Sequence, residues 1–162
     1  MIRFDTPEAV ADWHAIDDAV MGGASASRME YDVSGHAVFT GLVSMANNGG
    51  FASVRWPLMT PCVAAVAAFE LMVRGDGKTY KLSLRVDPDL DGVSHQARFH
   101  APDENWGLVQ LPVKDFVPTW RGRPVAGAAR LAPAKLRQIG FIVADGQEGP
   151  FRLEIRSITA RR

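Results

Sequence analysis

Short runs in which apolar and polar residues alternate fill the chain, and clusters of Gly, Pro, Asp and Asn separate them. This pattern is typical of a β-sandwich or a β-barrel and does not fit strands that alternate with helices. The clearest run places Tyr80, Leu82 and Leu84 on one face of a strand and Lys81 and Arg85 on the other. The alternation therefore predicts a strand with one buried face and one face in water.

About nine strands are predicted by the same alternation. Their ranges are 25–31, 37–43, 51–56, 66–74, 79–87, 95–101, 107–111, 138–144 and 151–158. The range 138–144 carries no charge on either face, which predicts a central strand buried on both sides. Helical turns are predicted within residues 7–20 and 132–137, and neither segment is long enough to be stable without packing.

The length and charge of the chain limit its class. A chain of 162 residues is long enough for one domain with a full-sized core, and we expect a single β-sandwich domain over residues 1–162. Lys and Arg together number 18, as do Asp and Glu, so no net charge would attract a phosphate backbone to the whole surface. We therefore do not expect nucleic acid as a partner.

Targeting signals and cysteine content bear on location. Residues 1–12 carry acids and lack the apolar stretch of an export signal, and no run approaches the ~20 apolar residues of a membrane span. The single cysteine, Cys62, cannot form an intrachain disulfide, and its apolar surroundings favour a buried small residue over a reactive thiol. We expect a cytoplasmic protein that does not insert into a membrane.

A polar run before the third predicted strand contains the first candidate binding residues. Asn47 and Asn48 precede two glycines, and these residue types predict a tight turn into the strand. Alternatively, the side-chain amides line a ligand face beside Arg55.

The segment 74–78 is a second polar turn. It contains an Asp-Gly dipeptide, which predicts a hairpin, and it lacks both the earlier glycine and the following helix of a phosphate-binding loop. Asp76 in this turn could pair with Arg55 or Arg121, in a structural role or as part of a binding site.

Alternation also places arginines on the polar sides of three strands, at Arg55, Arg74 and Arg98. If these strands are neighbours, one sheet face displays several arginines. Trp120 and Arg121 lie between two prolines in a rigid segment, where guanidinium groups could fork onto carboxylate or phosphate. The alternative is that Trp120 closes one end of the sandwich while its arginines lie in water.

Metal and catalytic motifs are incomplete. The alternating carboxylates Asp87, Asp89 and Asp91 copy the first half of a calcium-binding EF-hand loop, but Arg98 occupies the position of its last ligand. We interpret this segment as a solvated hairpin loop. The four histidines lack zinc spacing, and no Ser or Cys stands in a nucleophile motif. We expect no metal, cofactor or catalytic residue, with an active site assembled from distant residues as an alternative.

Five longer motifs carry a family resemblance. They are DDAVMGGAS at 17–25, NNGGFASVR at 47–55, VRGDGKTYKLSLR at 73–85, LPVKDFVPTWRGRPV at 111–125 and IGFIVADGQEGPFRLEI at 139–155. Together and in this order they resemble the complex I intermediate-associated protein family. The resemblance implies an all-β, jelly-roll β-sandwich similar to galactose-binding domains. It implies a fold more firmly than a function, because one fold hosts unrelated activities.

The same resemblance implies a role in assembly of the respiratory NADH:ubiquinone oxidoreductase. We expect a non-catalytic binding module, a chaperone-like assembly factor of bacterial origin, whose partner is a protein client such as respiratory complex subunits. The alternatives are a carbohydrate- or small-anion-binding sandwich and an uncharacterised enzyme. The candidate binding residues are Asn47, Asn48, Arg55, Arg74, Asp76, Arg98, Trp120 and Arg121.

Overall fold

Two stacked antiparallel sheets form the fold in a computed structural model that describes residues 1–17, 22–58, 65–87 and 92–162. The strands are β1 (Ile2–Arg3), β2 (His14–Ala15), β3 (Ala26–Asp32), β4 (His36–Val43), β5 (Ala52–Pro57), β6 (Ala68–Arg74), β7 (Thr79–Arg85), β8 (Ser94–His100), β9 (Gly107–Pro112), β10 (Val117–Trp120), β11 (Arg123–Pro124), β12 (Gln138–Val143) and β13 (Gly149–Arg161). The helical elements are α1 (Glu8–Ala11) and the 3-10 turns Ala46–Asn48, Val113–Asp115 and Pro133–Lys135. None of the helices in the described ranges is long and apolar enough to cross a membrane.

The strand order defines a first and a second sheet. The first sheet has the order β3-β4-β13-β6-β9, with β1 also paired to β13, and the second has the order β11-β10-β8-β7-β12-β5-β2. All nine predicted strands are confirmed, with ends that differ by at most three residues. The central position predicted for 138–144 is also confirmed, because β12 lies between β7 and β5. The strands missed from the sequence have four residues or fewer, too short for alternation to be visible.

The core lies between the sheets and follows the predicted alternation. Tyr80, Leu82 and Leu84 are fully buried, in contact with a continuous apolar cluster from both sheets. The expectation that the opposite face of β7 is in water is wrong in part, because Ser83 and Arg85 are also buried. Both residues lie on a strand with neighbours on each side, and the Arg85 guanidinium donates to the carbonyl of Gly92 at 2.6 Å.

Four connections that the structure describes in full pass from one sheet to the other at the same end of the sandwich, which we term the crossover end. They are residues 44–51, 75–78, 101–106 and 144–148. The hairpin predicted at 74–78 is therefore wrong, because β6 and β7 belong to different sheets. An Asp-Gly turn can join strands that do not pair, and the sequence alone does not distinguish the two cases.

Asp76 ties this crossover together. Its carboxylate accepts hydrogen bonds from the Tyr80 hydroxyl at 2.9 and 3.0 Å and from the backbone amides of Lys78 at 3.1 Å and Arg152 at 2.8 Å. The pairing predicted with Arg55 or Arg121 is not among these contacts, and the nearest cation is the Lys78 ammonium at 3.8 Å. Burial, and then the Asp76 charge, raise the pKa of Tyr80, so its hydroxyl stays a donor.

Asp17, in the first of the five motifs, joins the two sheets. One carboxylate oxygen accepts from the Ser27 hydroxyl at 2.5 Å and the Ser53 amide at 3.0 Å, and the other accepts from the Ser27 amide at 3.0 Å. Ser27 belongs to β3 of the first sheet and Ser53 to β5 of the second. Asp17 of this motif is therefore explained by packing of the fold.

Candidate functional site

The outer face of the second sheet carries a row of polar residues across four adjacent strands. Arg55 on β5 pairs with Gly140 on β12, Gly140 with Ser83 on β7, and Ser83 with Gln96 on β8. The residues next to them along each strand, such as Phe141, face the core. We term this row, together with Lys81 and Arg98 from the neighbouring row, the polar face.

Gly140 allows the Arg55 side chain to lie over the middle of the sheet. A Cβ atom at position 140 would lie 2.7 Å from the Val54 carbonyl oxygen and 3.2 Å from Cγ of Arg55. Both distances are shorter than ordinary van der Waals contact, so a larger residue would displace the Arg55 stem. The glycine in the IGFIV motif is thus explained by close approach of the backbone and the arginine.

Asp145 holds the two cations on the neighbouring row. One carboxylate oxygen lies 3.0 Å from Nη2 of Arg98 and the other lies 3.4 Å from Nζ of Lys81. Asp145 has a φ of 63°, a left-handed conformation that Asp tolerates in turns and that begins the crossover to β13. The Arg98 side chain is 61% exposed, and ion pairs of this kind contribute only about 0–1 kcal/mol, so a partner's carboxylate could replace Asp145 at little cost.

A pocket of ≈ 490 Å³ opens beside the polar face, where β8 approaches β9 and β10. Lys81, Gln96, Arg98 and Thr119 line one part of it, and Leu111 belongs to its apolar wall. The volume is within the usual range for ligand sites, roughly 300–1,000 Å³. No aromatic ring lines the pocket in the part of the chain that the structure describes.

Arg74 does not belong to this face, which corrects the predicted set of Arg55, Arg74 and Arg98. Arg74 ends β6 in the first sheet, whereas Arg55 and Arg98 lie in the second. Its guanidinium donates to both carboxylate oxygens of Glu154, at 2.5 and 3.1 Å. Alternation correctly assigned each arginine to the polar side of its strand, but it contains no information on which strands are neighbours.

Glu154 is the buried centre of a polar cluster on the outer face of the first sheet. Besides Arg74, it accepts from Nη2 of Arg152 at 3.2 Å and lies 3.0 Å from Nε2 of His36. The hydrogen bonds from Arg74, then those from Arg152 and His36, lower the pKa of Glu154 to about 2 against the opposing effect of burial.

Trp106 covers this cluster. The guanidinium carbons of Arg156 and Arg74 lie 4.1 and 4.9 Å from the ring centroid, and the His36 ring meets it edge-on at 5.1 Å. Trp106 comes from the crossover between β8 and β9, so these contacts clamp that crossover to β13. Sequence reasoning missed the cluster, although alternation of Arg152, Glu154 and Arg156 on one side of a predicted strand was the available signal.

The remaining candidates lie away from the polar face. Asn47 forms the predicted turn at the crossover end with a φ of 55°, and the side chain of Asn48 is outside the described part. Trp120 and Arg121 form the tip of the hairpin between β10 and β11, at the edge of the second sheet. Positive φ at Arg121 and at the following glycine matches a type I′ turn, and the Arg121 guanidinium lies 4.7 Å from the Trp120 ring.

Two other predictions concern residues only partly described. β7 and β8 pair as consecutive antiparallel strands, so the hairpin around the carboxylate-rich loop is confirmed. Asp89 and Asp91 in that loop, and Cys62, lie outside the described ranges.

The fold is that of a galactose-binding-like β-sandwich. Solved structures with the same architecture include a family 11 carbohydrate-binding module of Clostridium thermocellum, with a TM-score of 0.66 and 14% identity over 96% of this chain and 93% of that one. An exo-beta-agarase is similar with a TM-score of 0.61 and 10% identity, over 100% of this chain and 25% of that one. At such low identity the likeness establishes the fold alone.

The chain belongs to the Complex I intermediate-associated protein 30 (CIA30) family, whose model matches residues 2–155. A relative named complex I intermediate-associated protein 30, mitochondrial, from Drosophila melanogaster is 24% identical over 94% of this chain and 59% of its own length. A Neurospora crassa protein of the same name is 23% identical over 98% of this chain and 71% of its own length. The chain therefore spans less than two thirds of the fly relative.

These relatives overturn the expected location. The fly, Neurospora, worm and mouse proteins are all named as mitochondrial, which contradicts the cytoplasmic prediction. Their eukaryotic sources also run against the expectation of a bacterial origin. The prediction of location rested on residues 1–12 and Cys62, neither of which identifies a compartment.

Proposed function

We propose that this chain is a non-catalytic assembly factor that binds intermediates of complex I through the polar face of its second sheet. The observation that carries the proposal is the position of Arg55, whose stem crosses Gly140 in the middle of that face. The names of the family relatives supply the kind of client.

The polar face suits recognition of another protein. Arg55 and Arg98 lie in adjacent rows, and a guanidinium group can fork onto a carboxylate or several backbone carbonyls. The ion pair between Asp145 and Arg98 is partly exposed, and a carboxylate of the client could replace Asp145 in it. The adjoining pocket adds an apolar wall, and a mixture of apolar surface and positioned cations is usual at protein interfaces.

Arg55→Ala tests this proposal when the tagged protein is recovered from detergent-solubilised membranes of its native host. We expect recovery of complex I subunits to fall about tenfold, equivalent to ~1.4 kcal/mol, because a central interface arginine is lost. The matched control is Arg28→Ala, which removes the same charge from β3 on the other sheet. Equal recovery with both variants would contradict the proposal.

Carbohydrate binding is the second candidate, favoured by the structural likeness to a carbohydrate-binding module. Sugar-binding sites usually offer an aromatic ring as a platform, and the described part of the polar face and its pocket has none. The Trp106 ring is in contact with the guanidinium groups of Arg74 and Arg156, whereas Trp120 is exposed at the hairpin tip. Binding on a glycan array that Trp120→Ala abolishes would favour this candidate over the assembly role.

A further inference from the structure

The segment between Asp115 and Asp145 contains no acidic residue. It holds five basic residues, namely Arg121, Arg123, Arg130, Lys135 and Arg137, although basic and acidic residues balance at 18 each over the whole chain. We term these five the basic strip. A local excess of one charge in a neutral protein concentrates an electrostatic field at one place on the surface.

The basic strip lies at one end of the second sheet, opposite the crossover end. Thr119, next to the hairpin tip, pairs with Ser94 at the start of β8. Gln138, at the start of β12, pairs with Arg85 at the end of β7. Both parts of the strip therefore lie at the end of the second sheet where β7 ends and β8 begins. The strip follows the sheet from β11 to β12, which are four inter-strand steps apart, or about 19 Å at ~4.8 Å per step. All five side chains are exposed.

Buried contacts fix the loop that carries the strip. Leu131 and Leu136 belong to the hydrophobic core. Nε2 of His95 lies 3.0 Å from the carbonyl oxygen of Ala129, and the Arg137 amide donates to the Arg85 carbonyl at 2.8 Å. The cations are therefore held on a fixed surface, and most residues between them are Ala, Gly or Pro, which leave no bulk above it.

Trp120 adds an aromatic ring to one end of the strip. Its side chain is nearly half exposed at the hairpin tip, beside the Arg121 guanidinium. Trp is enriched at the level of lipid headgroups, and basic residues near an anionic membrane surface each strengthen binding to it. We propose that the basic strip and Trp120 dock the protein on a bilayer surface rich in anionic phospholipid.

The arrangement favours a lipid surface over an acidic protein segment. The cations are spread over about 19 Å along the sheet, on both sides of the β7–β8 connection with its exposed Asp87, and their wide spacing suits a broad layer of negative charge. The polar face proposed for the client consists of other residues, although its adjoining pocket reaches Gly122 and Pro124 beside the strip.

Vesicle co-sedimentation tests the proposal with the intact chain. We expect binding to equimolar phosphatidylcholine and phosphatidylglycerol vesicles at low salt, release by high salt, and no binding to phosphatidylcholine alone. Replacing Arg121, Arg123 and Arg130 with Gln should lower the partition coefficient by on the order of 100-fold. The matched control replaces Arg3, Arg28 and Arg162 with Gln, which removes the same charge elsewhere and should change partition little.

Tryptophan fluorescence supplies a readout that a folding defect would not imitate. We expect the emission of the native protein to shift to shorter wavelength on anionic vesicles, and Trp120→Phe to remove that shift while the protein still sediments. Equal partition of the strip and control variants would overturn the proposal. So would retention on immobilised polyglutamate without vesicle binding, which would assign the strip to an acidic protein partner.

Discussion

The two outer faces of the sandwich use the same kinds of residue in opposite ways. On the first sheet, the carboxylate of Glu154 is 10% exposed and receives hydrogen bonds from Arg152 and from Arg74, which also lies against Trp106. On the second sheet, the carboxylate of Asp145 is 38% exposed and meets two cations near the pocket. Burial decides the difference, because a buried ion pair is costly to break and an exposed one is readily exchanged. We therefore expect the first face to contribute more to stability, and we propose the second as the face that meets partners.

The largest effect is expected from Glu154→Ala. Removal of this carboxylate leaves the Arg74 and Arg152 guanidinium groups without their shared acceptor. We expect the free energy of unfolding to fall by about 3 kcal/mol, as for other buried pairs that lose one partner. Urea denaturation measures this free energy. A loss below about 1 kcal/mol would show that the ion pairs of the first face contribute as little to stability as those expected on the second.

The pH dependence of stability should report the same cluster. The pKa of Glu154 is lowered from 4.5 to about 2 in the folded protein, so its contribution is fully present above pH 4.5 and is lost as the pH falls towards 2. We expect up to about 3 kcal/mol to be lost over that window. Glu154→Gln should flatten this part of the profile in urea titrations, and an unchanged slope would assign the acid sensitivity to other carboxylates.

An intermediate effect is expected from Gly140→Ala on the polar face. The added methyl group would meet the Val54 carbonyl and displace the Arg55 stem. We expect a loss of about 2 kcal/mol from overpacking, together with lower client recovery. The double variant Arg55→Ala with Gly140→Ala tests whether Gly140 acts on binding only through Arg55. Client recovery with the double variant should then fall no further than with Arg55→Ala alone. A further fall would mean that Gly140 contributes to binding independently of Arg55.

The smallest effect is expected from Asp145→Asn. Asparagine tolerates the left-handed conformation at this position, and the substitution removes only the charge that meets Lys81 and Arg98. We expect the free energy of unfolding to change by less than about 1 kcal/mol. A loss as large as that of Glu154→Ala would remove the contrast between the two faces.

Much of the fold was predictable because alternation is a local property. Strands such as β7 and β12 are long enough for their faces to be read from the sequence, and the position of β12 inside a sheet followed from its lack of charge. The assignment of strands to sheets was not predictable in this way. Arg74 and Arg55 each lie on the polar side of a strand, yet their strands belong to different sheets.

The candidate site was predictable only in part, for a related reason. Arg55 and Arg98 follow from alternation, whereas the role of Gly140 depends on the approach of another strand. Asp17 and Asp76 look like loop residues in the sequence, but each accepts hydrogen bonds from segments far away along the chain. Such contacts exist only in the folded protein, so local patterns do not reveal them.

The order of the strands also constrains synthesis of the protein. β12 and β13 occupy the middle of the second and first sheets, yet residues 138–161 leave the ribosome after every other strand. The strands made earlier, among them β4, β5, β6 and β7, must wait for these partners with apolar faces and edges uncovered. Folding of this domain is therefore completed only after residues 138–161 emerge, and until then the nascent chain itself needs protection from aggregation.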